Sequence, residues 1–460
     1  MLNALTPALV IAASLITPLF VAAPLREWTL NAGLLFAISA YAGLRLAVIG
    51  SDGRGRTMQF FFWVYAYFFL GLAPLAQITE GIWPWPSTVS TQTGEMASVI
   101  IVAALLAYET GRMYCERRPP TVGWAQTPRV LSPKRMLVVL PVAALVSIGQ
   151  IIRIGPSTLL ADRESFSNLL AAGAGADARA TAGLTVAALI SASFASAYLI
   201  VLAKRNKVIH GWALTSVFLV TLALFASNPN SSARYVTTSV WVGILMALLW
   251  PLTRKAFLCL ALAVTGGLLV IFPLLNVFRR EGGRATTSDS LNGTLIQGDY
   301  DSFQQIANTV DHVSEHGHTY GHQFLSALLF FVPRSLWPEK GLDTGALVGA
   351  SRGYYFTNLS APLPAEMYID GGLFLVVLAF LVLGAFTVWA ERQAQKPITE
   401  RGFVGLMVPM VSVYQVIILR GSLLQSMGQI MSVMLIVWLC TAKPTVPDIR
   451  HPLRHNLAVA

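Results

Sequence analysis

Twelve runs of mostly apolar residues, each near the length a helix needs to cross a bilayer, follow one another along the chain. Six cover residues 5–24, 28–50, 57–79, 95–114, 135–152 and 181–203. The other six cover 211–227, 235–252, 256–276, 368–390, 403–420 and 423–441. A helix closes its backbone hydrogen bonds within itself, so the pattern predicts an all-α, polytopic membrane protein of about twelve transmembrane helices. The first run has no basic residues before it, unlike a signal peptide, and is expected to remain as a helix. Three regions result: helices 1–9 in residues 1–276, a long connecting segment at 277–367, and helices 10–12 with a tail in 368–460.

Composition agrees with the pattern. Charged residues are 12% of the 460, about half the usual share in a soluble protein, and mean hydropathy is +0.62. The excess of 32 Lys and Arg over 22 Asp and Glu would suggest nucleic acid in a soluble chain. Here its distribution follows the positive-inside rule. With the N-terminus inside, the inner loops hold Arg54 and Arg56, then Arg112, Arg117, Arg118, Arg129, Lys134 and Arg135. Lys204, Arg205, Lys207, Arg254, Lys255, Arg392, Lys396 and Arg401 follow, and the tail adds Lys443, Arg450 and Arg454. More than half of the 32 basic residues thus fall on one side, with both termini cytoplasmic. Cys115, Cys259 and Cys440 lie far apart in or beside apolar runs and read as small core residues, not disulfides.

On the opposite side two segments are long. In 153–180, Leu159, Leu160, Phe166, Leu169 and Leu170 recur at helical spacing, which predicts a short helix lying on the membrane surface. Residues 277–367 form a segment of about ninety residues, and loops of that length are usually functional or separately folded. Within it, Phe303, Ile306, Ala307, Val310 and Val313 predict an amphipathic helix, with Asp299 or Asp301 placed to cap it. The run from His322 to Val332 is too short to cross, and Pro333 ends it; a re-entrant or interfacial helix is expected.

Four groups on this outer side carry candidate chemistry. "SNPNSSARY" (227–235) sets a turn and places Arg234 at the mouth of a span. "NVFRREGGR" (276–284) brings Arg279, Arg280 and Arg284 to the side where positive charge is otherwise sparse. "FFVPRSLWPEKG" (330–341) brackets Trp337 with Arg334 and Lys340 between two prolines. "NLSAPLPAEMYIDGG" (358–372) puts Glu366 where the chain enters a span, as a base or as the partner of an arginine. Arginine's planar fork suits phosphate oxygens, so outer arginines, a carboxylate and a long loop point to a lipid carrying phosphate. Four of the seven histidines, His312, His316, His318 and His322, cluster in the loop without a metal-site pattern; His318 or His322 suits acid–base or hydrogen-bonding work. No phosphate-binding loop for ATP or a dinucleotide is present, and nothing supports nucleic-acid binding.

From about 225 to 390 the sequence resembles the Wzy-type oligosaccharide repeat-unit polymerases of bacterial surface polysaccharide assembly. The resemblance rests on "SNPNSSARY", on "GDYDSFQQI" followed by "HTYGHQFLSALLFFVPRSLWPEKG", and on "NLSAPLPAEMYIDGG". One departure is "EKG", where such proteins often continue Lys-Pro. The resemblance implies a C-type glycosyltransferase-like helical architecture in the inner membrane with its active site facing the periplasm. It implies transfer of a growing glycan from undecaprenyl diphosphate onto a new lipid-linked unit, with no nucleotide sugar, cofactor or metal. Expected partners are the lipid-linked oligosaccharide, membrane lipids, a chain-length regulator and a flippase.

Under that reading Arg234, Arg279, Arg280, Arg334 and Lys340 cradle the departing diphosphate. Glu366 is the first candidate base and His322 the second, while Asp299 and Asp301 cap a helix or hold acceptor hydroxyls. Asn358 and Tyr368 are candidate sugar contacts. Two alternatives stay open: an O-antigen ligase transferring the glycan to a lipid core, and a transporter or flippase. Transport calls for charge near mid-span, whereas here charge gathers at the outer edge.

Overall fold

All twelve apolar runs carry a helix. The structure, a computed structural model, describes residues 12–52, 55–118, 129–162, 165–166, 176–268, 291–354, 356, 359–398 and 400–443. Helices α1 (Ala12–Ala22), α2 (Leu30–Asp52), α3 (Thr57–Glu80), α4 (Thr91–Arg117) and α5 (Pro133–Ile154) come first. A short α6 (Pro156–Leu160) precedes α7 (Ala176–Arg205), α8 (Ala213–Ala226), α9 (Arg234–Leu249) and α10 (Arg254–Gly266). The long connection holds α11 (Leu291–Leu295), α12 (Ser302–His316), α13 (His322–Leu328) and α14 (Thr344–Ser351). Helices α15 (Leu363–Gln395), α16 (Phe403–Arg420) and α17 (Leu423–Leu439) follow. Helix makes up 77% of the structure, and the described sheet is one antiparallel pair, β1 (Val130–Leu131) with β2 (Thr441–Ala442). Among the described residues seven helices, α2–α5, α7, α15 and α16, are long and apolar enough to cross a membrane.

Two apolar clusters form the interior, and α16 belongs to both. Val408 and Val413 face the cluster built on α1–α4, α10, α12 and α15. Leu406, Met407, Met410 and Tyr414 face the cluster of α5, α7, α8, α9 and α17. Helix α3 is apolar on every side, including the run Phe60–Phe69, and is correspondingly buried all round. Its middle widens to a π-helix over Ala66–Leu72, just before Pro74, which has no N–H for the preceding turn.

Helices α4 and α15 cross at backbone distance. A Cβ on Gly111 would lie 1.9 Å from the Leu381 carbonyl oxygen, and one on Gly384 would lie 2.0 Å from that of Tyr108. Small residues permit such approaches in lipid, where dispersion contacts replace the hydrophobic effect between helices. Helix α15 begins at Leu363, before the expected 368, and kinks at Gly371–Gly372, where Gly372 has φ 61° and ψ −157°. Glu366 therefore stands on a short helical entrance, separate from the long apolar part.

The connecting segment departs from its simple amphipathic pattern. In α12, Phe303, Ile306 and Ala307 are buried, and so are Gln304, Gln305, Asn308 and Thr309. The polar face is covered by the 81–90 turn: Gln304 donates to the carbonyls of Trp85 (3.0 Å) and Ser87 (2.7 Å) and accepts from Trp85 N–H at 3.0 Å. Helix α13 stops at Leu328, and its first N–H groups are capped from α15: Asp370 accepts from Gln323 (3.1 Å) and Phe324 (2.7 Å). In the segment 153–180 Leu159 and Phe166 pack on Leu189 and Ala226, while Leu160 stays exposed. Leu169 and Leu170 lie outside the described residues.

At the end of the bundle that the sequence assigns to the inner side, charges are paired. Arg45 reaches Glu109 at 2.8 Å, Arg112 joins Glu109 to Glu116, and Arg56 bridges Glu116 and Asp52, both at 3.0 Å. Arg45 and Arg56 thus tie α2, α4 and the start of α3 together, while Arg112, expected like Arg56 as a loop charge, pairs within α4.

Candidate functional site

Between the two clusters lies a cavity of 1410 Å³. Its apolar wall comes from α9 and α10, with Trp241, Val242, Leu245, Leu260 and Val264. The facing wall, from α16 and α17, is more polar and carries Tyr414, Ser422, Gln425, Ser426 and Gln429. The charged groups among the described lining residues are Arg234, Asp299, Asp301 and Arg420.

Arg234 is held by the turn before it. Asn228 Oδ1 accepts the N–H groups of Asn230 (3.1 Å) and Ser231 (3.3 Å), the local bonding that the Asn-Pro-Asn sequence favours. The chain then starts α9 at Arg234, only 3% exposed. A cation at a helix N-terminus opposes the helix dipole. Asp299 offsets this, its Oδ2 2.7 Å from Arg234 Nη2.

Arg420 closes α16, where the dipole favours a cation. Its Nε donates to the Asp299 carbonyl at 2.9 Å, and Nη2 meets Asp301 Oδ1 at 3.3 Å. Asp301 is 1% exposed and occupies the N-cap position of α12, but its side chain makes no cap bond there. It turns instead to Trp85 Nε1 (2.7 Å) and Ser360 Oγ (2.6 Å) as well as Arg420. Gly298 makes room for this arrangement, since a Cβ there would lie 2.7 Å from the Trp85 ring. Two Arg–Asp pairs, supplied by α9, the 298–301 turn and α16, thus form one rigid polar end of the cavity. Arg420, Trp85 and Ser360 were missed by sequence reasoning.

The other expected residues lie elsewhere. Arg334 is exposed and donates to the carbonyls of Lys340 and Gly341, the latter at 2.8 Å. Lys340 is buried, with Nζ donating to the Phe330 (2.7 Å) and Val332 (3.0 Å) carbonyls. Burial, with Arg334 beside it, pushes the Lys340 ammonium below its ordinary range. These two cations fold the 330–341 loop on itself, and neither lines the cavity with Arg234. Glu366 is 3% exposed and accepts Leu423 N–H at 3.0 Å, directly behind cavity residue Ser422. His322 Nε2 is 2.8 Å from the Glu339 carbonyl, and its ring meets Trp337 edge-on. Tyr368 is mostly buried, its carbonyl 3.0 Å from His318 Nδ1. His312 and His316 stack 4.5 Å apart, so the four loop histidines are divided among separate partners. Arg279, Arg280 and Asn358 lie outside the described residues.

Compared with known proteins, the chain matches no family model, no curated protein and no solved structure.

Proposed function

We propose that this chain is a polytopic inner-membrane enzyme of twelve spans with both termini cytoplasmic. It polymerises oligosaccharide repeat units carried on undecaprenyl diphosphate, moving the growing glycan from its lipid diphosphate onto a new lipid-linked unit at the periplasmic face. The observation that supports this most is the cavity itself. It has an apolar wall between α9 and α10 suited to a prenyl chain, and two fixed arginines at one end suited to phosphate. Asp299 and Asp301 orient the guanidinium groups, so the donors are set before the leaving group departs.

Two arginines against two aspartates leave the described end charge-balanced. A departing diphosphate needs more, and Arg279 and Arg280 are our candidates for it. The chain lines the cavity at Leu268 and lines it again at Gly293, on either side of these arginines. Arg334 and Lys340 keep a smaller part in this reading, since both donate to carbonyls of their own loop. Asn358 and Tyr368 remain candidate sugar contacts, with chain-length regulator and flippase as partners in assembly.

The test is reconstitution of the full chain in vesicles with a lipid-diphosphate-linked repeat unit, with products resolved by length. A ladder of polymer is expected, and Arg234→Ala should reduce it by about 100-fold or more, as for loss of a preorganised donor. Long chains made at normal rate by Arg234→Ala would remove the arginine cradle from the account.

A further inference from the structure

Ser422 stands where the cavity meets two buried carboxyl groups. It lines the cavity, is 3% exposed, and occupies the N-cap position of α17 without making a side-chain cap bond. Behind it, Glu366 from the entrance of α15 and Asp343 from the N-cap of α14 both lie against its hydroxyl. Backbone groups hold each acid: Glu366 Oε1 accepts Leu423 N–H at 3.0 Å, and Asp343 Oδ1 accepts Ala346 N–H at 3.1 Å. Ser422 Oγ and Asp343 Oδ2 are buried and close no well-aligned hydrogen bond. Buried polar atoms in that condition ask for a reason. Gln425, a second cavity residue, also reaches Asp343. Burial pushes the Asp343 carboxyl above the ordinary carboxylate range, against the hydrogen bonds that Ser422, Gln425 and nearby backbone groups offer it.

From this geometry we infer that Ser422 relays a proton from the cavity to the Glu366–Asp343 pair, making the two carboxyls the base of the reaction through one serine. The inference rests on the glycan-transfer reading above. In the step, the acceptor hydroxyl gives its proton to Ser422 Oγ, and Ser422 gives its own to Glu366. The acceptor oxygen forms its bond to the anomeric carbon as the carbon–oxygen bond to phosphate breaks. The diphosphate leaves with the electron pair, and the proton on Glu366 returns through Ser422 to the leaving phosphate or to water. Ser422 touches substrate; Glu366 and Asp343 are positioning residues acting through it. This removes a difficulty with Glu366 as a direct base, because its carboxyl does not line the cavity.

The experiment compares Ser422→Thr with Ser422→Val, two side chains of the same shape, in the reconstituted full chain with the lipid-diphosphate-linked repeat unit. Val should lower kcat about 100-fold or more, leave KM within about twofold and abolish a solvent deuterium isotope effect seen in the wild type. Thr should keep most of the rate and the isotope effect. Asp343→Asn should lower kcat without weakening donor binding. Equal turnover by Thr and Val, with the wild type active, overturns the relay and leaves the transfer reading standing. A wild type that makes no polymer from this donor overturns both.

Discussion

Asp301 ties together four parts of the molecule, and its removal tests how the polar end of the cavity is built. The carboxylate is 1% exposed and accepts from Trp85 Nε1 at 2.7 Å, Ser360 Oγ at 2.6 Å and Arg420 Nη2 at 3.3 Å. Hydrogen bonds to a charged group contribute about 1.5–3 kcal/mol each, and donors left buried without a partner cost a similar amount. The arginine contact is the longest of the three, and its side chain is 19% exposed, so its share is discounted. These terms overlap, and Asp301→Ala is expected to cost about 3–5 kcal/mol in all. Arg420→Met should cost less, about 1–2 kcal/mol, because the carboxylate keeps its two short bonds. The double variant should then show a coupling of about 1 kcal/mol. Reversible unfolding in mixed detergent micelles gives the four free energies. Coupling within about 0.3 kcal/mol of zero, or an Asp301→Ala cost below about 1 kcal/mol, would refute this account of the site.

Two further predictions concern the scaffold. Gly384→Val should destabilise by at least about 3 kcal/mol, because the new Cβ starts 2.0 Å from a backbone carbonyl that cannot rotate away; the same unfolding assay reads it. His312, pushed below the ordinary imidazole range by burial and by neighbouring His316, binds its proton less well folded than unfolded. Stability should therefore fall as pH drops below 6.5, and His312→Gln should flatten that part of the profile in melts between pH 7.5 and 5.

Much of the fold was legible because apolar length is written in a continuous run: each of the twelve apolar runs carries a helix, seven of them, among the described residues, long and apolar enough to cross a membrane. The kink in α15 was written less openly, in Gly371 and Gly372, as a break inside an otherwise helical pattern. The site was legible in part. The Asn-Pro-Asn turn pointed to Arg234, and the acidic residues before α12 pointed to Asp299 and Asp301. Their pairing with Arg420 could not be read, since periodicity gives the faces of helices but not which ends meet. A signal for Arg420 existed: it ends a span on the side where the alternation of basic loops makes arginine costly, the argument that singled out Arg234. The same argument overweighted Arg334 and Lys340, whose charge satisfies carbonyls of a tight proline-bounded loop. Burial of Gln304 and Asn308 was hidden because the turn that covers them lies more than two hundred positions away in the chain.

The central claim is that the Arg234–Arg420 end of the cavity receives a lipid diphosphate. A density map of the full chain with undecaprenyl diphosphate bound tests it most directly. The account predicts phosphate oxygens within hydrogen-bond distance of both guanidinium groups and the prenyl chain along Trp241, Leu245 and Leu260 between α9 and α10. Phosphates seated instead at Arg334 and Lys340, with the cavity empty, would contradict it.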